Sequence, residues 1–360
     1  MGGMLLLEDG RAFEGEAFGA STTRIGEIVF NTSMTGYQEV LTDPSYREQI
    51  VTMTVSHVGN YGVNEIDMES AGIHLSGFIV RELSRVYSNW RAEGGLHPWL
   101  RSKGIPGVQR IDTRALVRHI REKGAMRAAI CTDGTPKDAL LEQIREWPGM
   151  EGRALAAEVS CAEPYVFHEP STPRMAVHVL DGGVKLNILR LLAAQNCAVR
   201  VFPAMTPAEQ LREGADAVFL SNGPGDPAAL PGMVDTVRAC IGELPVLGIC
   251  LGHQLLSLAL GADTFKLRFG HRGGNHPVKD QESGKVLITS QNHGFSVDPK
   301  GIERSGGVVT HTSLYDGTLE GFRHDDLGII SVQFHPEAAP GPHDAHGLME
   351  RFLAFGEARL

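Results

Sequence analysis

The segment Pro245-Val-Leu-Gly-Ile-Cys250-Leu-Gly-His-Gln254 runs a short apolar stretch into Gly248-x-Cys250-x-Gly252 and then into a helical pattern. This is the spacing of a nucleophile elbow with sulfur in place of oxygen. The flanking glycines allow a tight strand-to-helix turn and close backbone approach, which would hold Sγ at the carboxyl end of the strand. A helix beginning just after Cys250 favours thiolate over thiol. It also aims the Leu251 N–H where an oxyanion would form. Alone, the pattern reads more simply as a buried cysteine at a glycine-rich turn.

His335-Pro-Glu337 follows an apolar run over 329–334. Residues i and i+2 of extended chain point to one side. Glu337 can therefore orient His335, by contact or through backbone placement, while His335 serves as base to Cys250. Alone, H-P-E is a surface turn. Ser221-Asn-Gly223-Pro-Gly225-Asp-Pro follows another apolar run, over 217–220. Its low side-chain bulk lets backbone N–H groups face a substrate or an oxyanion, although by itself it is an ordinary tight turn.

Such residues need a scaffold that gathers strand ends on one edge. Apolar strands at 176–180, 198–202, 217–221 and 245–249 alternate with helical patterns at 185–194, 232–241 and 251–260. That alternation predicts βαβ units in an α/β fold, with a mostly parallel sheet covered on both faces. Further strands at 286–290 and 329–334 and a helix at 348–355 follow. The first half reads as a mixed α+β domain whose topology the sequence leaves open. It has strands at 4–8, 12–18, 26–30, 50–55 and 75–81, and helices at 114–122, capped by Asp112 or Thr113, and at 139–147. Between the halves, CAEPYVFHEPSTPR holds three prolines and no period, as a linker would. The expected division is a domain over 1–160, a linker over 161–174 and a domain over 175–360.

Composition narrows the function classes. The chain has 360 residues, 42% of them hydrophobic, enough for two packed domains. Its net charge of −10 argues against sequence-independent nucleic-acid binding, which rests on phosphate neutralisation. No apolar run approaches the roughly 20 residues of a membrane span, and the N-terminus lacks the basic start of a secretory signal. Cys131, Cys161, Cys197, Cys240 and Cys250 are odd in number and contain no C-x-x-C, so neither a disulfide framework nor a zinc site is expected. A reduced, cytoplasmic location follows. His343-Asp-Ala-His346 has metal-like spacing, and His271 and His276 flank what reads as a Gly-Gly turn. No further ligands of suitable spacing accompany them, and no metal is expected. No G-x-x-x-x-G-K-[ST] suggests ATP binding by this chain.

Taken in order, SNGPGDP, LGICLGHQ and FHPEA resemble the class I, triad-type glutamine amidotransferases, from Ala176 to the end of the chain. The resemblance implies hydrolysis of L-glutamine through a γ-glutamyl thioester, with Cys250 as nucleophile, His335 as general base and acid, and Glu337 as its orienter. The first half carries a second resemblance. NTSMTGYQEVLTDPSY from Asn31, HVGNYG from His57 and IDTRAL from Ile111 are similar to the N-terminal domain of carbamoyl-phosphate synthase small chains. So are FGHRGGNHP from Phe269 and SQNHGF from Ser290. Matching positions imply glutamine contacts at Ser45, Gly223, Gly225, Leu251, Gln254, Asn292, Gly294 and Phe295. Main-chain groups and Asn or Gln amides suit the ends of an α-amino acid, and Phe295 suits its aliphatic stem.

This second resemblance also implies a large partner chain that holds ATP and magnesium, docked on the N-terminal domain in a heterodimer or an assembly of heterodimers. No cofactor is implied in this chain, and no nucleic acid or membrane partner. Whether the carbamoyl phosphate would feed arginine or pyrimidines stays open. Two alternatives stand beside this reading: a glutaminase serving another synthetase, and a non-catalytic scaffold for the large chain. Two departures are visible. Gly182 stands where the family usually has an aromatic residue, which predicts looser packing there. Met1–Gly3 reads as an extra stub.

Overall fold

A computed structural model describes residues 2–360. The chain forms two units, Met1–Glu151 with Arg268–Gly273, and Gly152–Leu267 with Gly274–Leu360.

In the second unit the apolar runs become five parallel neighbours, in the order Ala198–Pro203, Ala176–Asp181, Ala217–Leu220, Val246–Ile249 and Ile329–Val332. Side chains alternate between the two faces of a strand, and the core divides accordingly. Val177, Val179, Phe219, Leu247 and Ile249 pack in one cluster with Leu189 and Phe352. Leu180, Val218, Leu220 and Val246 pack in another with Val237 and Leu255. Both faces are thus covered, by helices that include Leu186–Ala194 and Gly347–Glu357 on one side and Pro231–Cys240 and Leu251–Ala259 on the other. The α/β class expected from the alternation is the class observed.

Beyond Ile329–Val332 the sheet turns antiparallel, through Leu319–His324 and Val308–Ser313. These strands are too polar and irregular in pattern to read from sequence, and the ladder beside them supplies their order. Tyr165–His168, inside the proline-rich stretch read as a linker, pairs antiparallel with Ala198–Pro203 at the sheet edge. An edge position tolerates the prolines on either side of it. Residues 271–276 run extended within the strand Thr264–Asp280 instead of forming the expected Gly-Gly turn.

The first unit contains a closed seven-stranded barrel. Its order is Gly2–Leu7, Ala12–Gly19, Pro106–Gln109, Gly77–Ile79, Gln49–Met53, Thr23–Asn31 and Met126–Cys131, which returns to Gly2–Leu7. Parallel and antiparallel pairs mix around it. Gly2 and Gly3 pair with Glu16 and Gly15, so these two residues of the expected stub belong to a barrel strand. Met1 lies outside the described residues. The helix Thr113–Lys123 is capped by the Asp112 side chain, which accepts from the Ala115 N–H, and buries Leu116 and Ile120. Among the described residues no helix is long and apolar enough to cross a membrane, and all five cysteines are free thiols.

Phe352 is fully buried in the cluster under the parallel strands. Phe352→Ala is expected to cost about 3–5 kcal/mol, read as a lower denaturant midpoint for the second unit.

Candidate active site

Gly248 and Gly252 determine how the chain turns at Cys250. A Cβ at Gly252 would lie 2.3 Å from the Leu220 carbonyl oxygen, and one at Gly248 would lie 2.9 Å from the Gly252 carbonyl carbon. Only glycine lets the strand end and the helix start approach so closely. Cys250 itself adopts φ 54°, ψ −103° directly before the helix Leu251–Ala259. A non-glycine residue with positive φ is uncommon and costs free energy that the surroundings must offset. Here they do so by flanking hydrogen bonds, from Cys250 N–H to Val332 O at 2.9 Å and from Gly252 N–H to Ser221 O at 3.0 Å. The result is a buried thiol at the carboxyl edge of the parallel sheet.

His335 and Glu337 emerge from the neighbouring strand at the same edge. His335 Nδ1 lies 2.6 Å from Glu337 Oε1, and both residues are buried. The sequence allowed orientation by contact or by backbone placement; contact is what forms. The His335 N–H also donates to Ser290 O at 2.9 Å, which ties this segment to the strand Val286–Val297. That strand carries Asn292, Gly294 and Phe295, and Asn292 reaches the thiol. The Cys250 thiol donates to the Asn292 carbonyl at 3.6 Å. His335 Nε2 makes no hydrogen bond among the described residues, yet Cys250 lies near enough to strengthen its hold on a proton.

The electrostatics follow from burial and partners. Burial opposes charge on His335, but the Glu337 carboxylate outweighs it, and the imidazole pKa rises from 6.5 to about 10. Burial likewise pushes the Glu337 carboxyl up. The Lys185 ammonium first, and His335 next, pull it down to about 2. Lys185 Nζ is 3.0 Å from Glu337 Oε1 and also donates to the Ala338 carbonyl. The site therefore holds a charged row of Lys185, Glu337 and His335, ending beside the thiol. Cys161, Cys197 and Cys240 contrast with this. Burial raises them to about 12, 11 and 11, as expected of unreactive thiols.

A family model described as carbamoyl-phosphate synthase small chain, CPSase domain, matches residues 5–130, and one described as glutamine amidotransferase class-I matches residues 178–355. The chain is 51% identical over 365 residues to the carbamoyl phosphate synthase small chain of Syntrophotalea carbinolica, covering 98% of this chain and 97% of that one. It is 47% identical over 371 residues to the protein of the same name from Escherichia coli, covering 98% and 97%. For the one from Aquifex aeolicus the identity is 46% over 366 residues, covering 98% of both. The chain belongs to the carbamoyl-phosphate synthase small-chain family.

Within this small chain, the second unit brings together Cys250, His335, Glu337 and Asn292 through the contacts above. Gln254 joins them from the helix after the elbow. Its amide nitrogen donates to Phe295 O at 2.9 Å and to Gln333 Oε1 at 3.0 Å, which uses both of its protons. What Gln254 has left to offer a ligand is an acceptor oxygen. Gly223 sits where a Cβ would meet the Gly182 carbonyl oxygen at 2.1 Å and Leu251 Cδ2 at 2.7 Å. Gly225, with φ 94°, is pressed instead toward Arg153 and Leu155. Ser45 belongs to the first unit, in the short turn Pro44–Tyr46, where its N–H donates to the Asp43 side chain at 2.9 Å. The slack expected around Gly182 is absent: a Cβ there would lie 3.0 Å from Leu251 Cδ2, and its N–H bonds Ser221 Oγ at 2.9 Å.

Lys185 and Asn187 were not singled out from sequence. Lys185 is 2% exposed at the start of Leu186–Ala194, and Asn187 Nδ2 donates to the Glu337 carbonyl at 2.6 Å. A signal was present: a cation at a helix N-terminus opposes the macrodipole, so it needs a carboxylate close by.

Three expectations follow. Glu337→Gln removes the carboxylate that holds the His335 proton, so an imidazole NMR titration should show His335 deprotonating at distinctly lower pH. In the native chain the ion pair's contribution to stability should be present between these limits. It should be lost as pH rises through about 10, where His335 deprotonates, and as pH falls through about 2, where Glu337 protonates. Lys185→Met should raise the Glu337 pKa and lower kcat far more than it changes KM. An unchanged pH profile in that variant would remove Lys185 from the electrostatic chain.

Proposed function

We propose that this chain is the glutamine-hydrolysing subunit of a carbamoyl-phosphate synthase. The observation that carries the reading is the buried Cys250, with the His335–Glu337 pair beside it, on the unit matched by the amidotransferase model. The unit matched by the small-chain model specifies which synthetase is served. A scaffold without catalysis would have no use for a strained elbow and three buried charges, each dependent on the others.

In the proposed reaction the Cys250 thiolate attacks the γ-carboxamide carbon of L-glutamine. The carbonyl π bond opens onto oxygen, and the oxyanion is received by the Leu251 N–H at the start of the helix. The His335 imidazolium gives its proton to the departing amide nitrogen, the C–N bond breaks, ammonia leaves, and a γ-glutamyl thioester remains. Neutral His335 then takes a proton from water as the water oxygen attacks the thioester. Collapse releases glutamate and returns thiolate and imidazolium to their starting state. Glu337 keeps the imidazole orientation and proton affinity fixed through both halves, and Lys185 keeps Glu337 ionised.

The acceptor oxygen of Gln254 suits the substrate ammonium, and Phe295 suits its methylene stem. Gly223, Gly225, Asn292 and Gly294 are proposed to shape the same pocket by main-chain groups, and Ser45 is proposed as a glutamine contact on its motif. A small chain implies a large-chain partner; the proposed assembly is a heterodimer or a set of heterodimers, with ATP and magnesium on the large chain.

Cys250→Ala should lower glutamine hydrolysis by about 10⁴–10⁶. Synthesis from supplied ammonia by the reconstituted complex should survive. Near-native hydrolysis in that variant would overturn the reading, whereas Cys197→Ala and Cys240→Ala should affect packing alone. His335→Asn should suppress thioester formation more strongly than Glu337→Gln, because orientation is only part of the base's work. Single-turnover rates measure the difference, and equal losses would assign Glu337 a direct chemical part.

A further inference from the structure

The helix Thr113–Lys123 carries Arg114, Arg118 and Arg121 at spacings of four and three. At about 100° per residue these positions fall within about 60° of arc, opposite the buried Leu116, His119 and Ile120. All three arginines are exposed. Among the described residues none of their guanidinium groups has an ion-pair or hydrogen-bond partner. Arg268 extends the basic surface by donating to the Glu122 carbonyl. Two hollows adjoin along this ridge. One, of about 470 Å³, is lined by Arg118, Arg121, Glu122, Arg268 and Phe269. The other, of about 270 Å³, is lined by Arg114, Val117, Arg118, Arg121, Thr54 and Thr113.

Such a ridge is anomalous here. The chain carries a net charge of −10, so carboxylates to pair these arginines are plentiful, yet among the described residues none forms an ion pair with them, not even Glu122, which lines the same hollow. Like charges at these spacings repel within the helix, and Arg114, in the first turn, also opposes the helix dipole. No ion pair inside the described fold offsets this. Two elements favour a protein surface as the missing partner. Arg114 to Arg121 spans about 10 Å of helix, more than one phosphate covers. Val117 and the half-buried Phe269, stacked on Phe30 with ring centroids 5.9 Å apart, place apolar surface among the guanidiniums. Arginine interleaved with aromatic and aliphatic surface is the composition of a protein interface.

We propose that the Arg114–Arg118–Arg121 ridge, with Arg268, docks an acidic face of the large chain. This rests on the functional reading above, which supplies the partner. Opposed charge would steer the encounter and set its orientation, and would leave the glutamine chemistry of the free chain untouched.

The test uses the full chain and the purified large chain, with affinity measured at low and high salt. Arg118→Glu with Arg121→Glu should weaken binding by about tenfold or more at low salt. The salt dependence should flatten, while glutamine hydrolysis by the free variant stays native. Arg118→Gln with Arg121→Gln should show a smaller loss in the same direction, and it serves if charge reversal prevents folding. Native affinity and native salt dependence in the folded variants would overturn the proposal and leave the functional reading standing. Unchanged large-chain affinity together with lost binding of inorganic phosphate would reassign the ridge to a small anion and also overturn it. Failure of the native chain to bind the large chain at all would overturn the functional reading, and this inference with it.

Discussion

The second unit is organised around one electrostatic constraint. Three ionised side chains, Lys185, Glu337 and His335, lie where almost no water reaches them. An isolated charge at such depth would neutralise instead. Glu337 stays ionised because Lys185 is 3.0 Å away on one side and His335 is 2.6 Å away through the same oxygen. His335 holds its proton because Glu337 is ionised. Removing any member leaves an uncompensated buried charge, so the set behaves as one unit and not as three additive contacts. Its members come from segments about 150 residues apart, and the fold must bring them together within tenths of an ångström.

The parallel sheet provides that accuracy. Strand ends at Ile249 and Val332 are neighbours in one ladder, so the residues that follow them, Cys250 and His335, start from a shared hydrogen-bonded frame. The Cys250 N–H is itself part of that frame through Val332 O. The strained φ of Cys250 is the other half of the device. A relaxed turn would not place a side chain between the strand end and the helix start, and Gly248 and Gly252 remove the Cβ atoms that would block the tight turn. Strain, glycine placement and ladder register are therefore three aspects of one requirement: a buried sulfur held at a sheet edge within reach of an imidazole.

The buried histidines of the same unit show how surroundings decide role. His253 donates or accepts at Ser331 Oγ, 2.9 Å away, and burial without a carboxylate lowers its pKa to about 3. His311 is lowered to about 4 for the same leading reason. Both are neutral packing residues at neutral pH. His335 is buried as deeply, and the Glu337 carboxylate, with Cys250 adding to it, reverses the direction of its shift. Residue type and depth do not separate these histidines; the partner does.

Sequence alone determined the elements whose signals are local. Short apolar runs alternating with amphipathic helices made the α/β unit legible, and Gly248-x-Cys250-x-Gly252 with His335-Pro-Glu337 made the turn at Cys250 and the His335–Glu337 contact legible, because an elbow and an i, i+2 pair are short-range geometries. Relatedness of the motifs named the family. Tertiary structure decided what depends on distant partners. The barrel order of the first unit mixes parallel and antiparallel neighbours, and no local pattern encodes which strand pairs with which. The polar strands Val308–Ser313 and Leu319–His324 exist because an adjacent ladder accepts their hydrogen bonds. Lys185 acquired a role only when the fold set its ammonium against Glu337, a residue 152 positions later. Charge in a protein interior is a property of the neighbourhood, and the neighbourhood is assembled only when the chain folds.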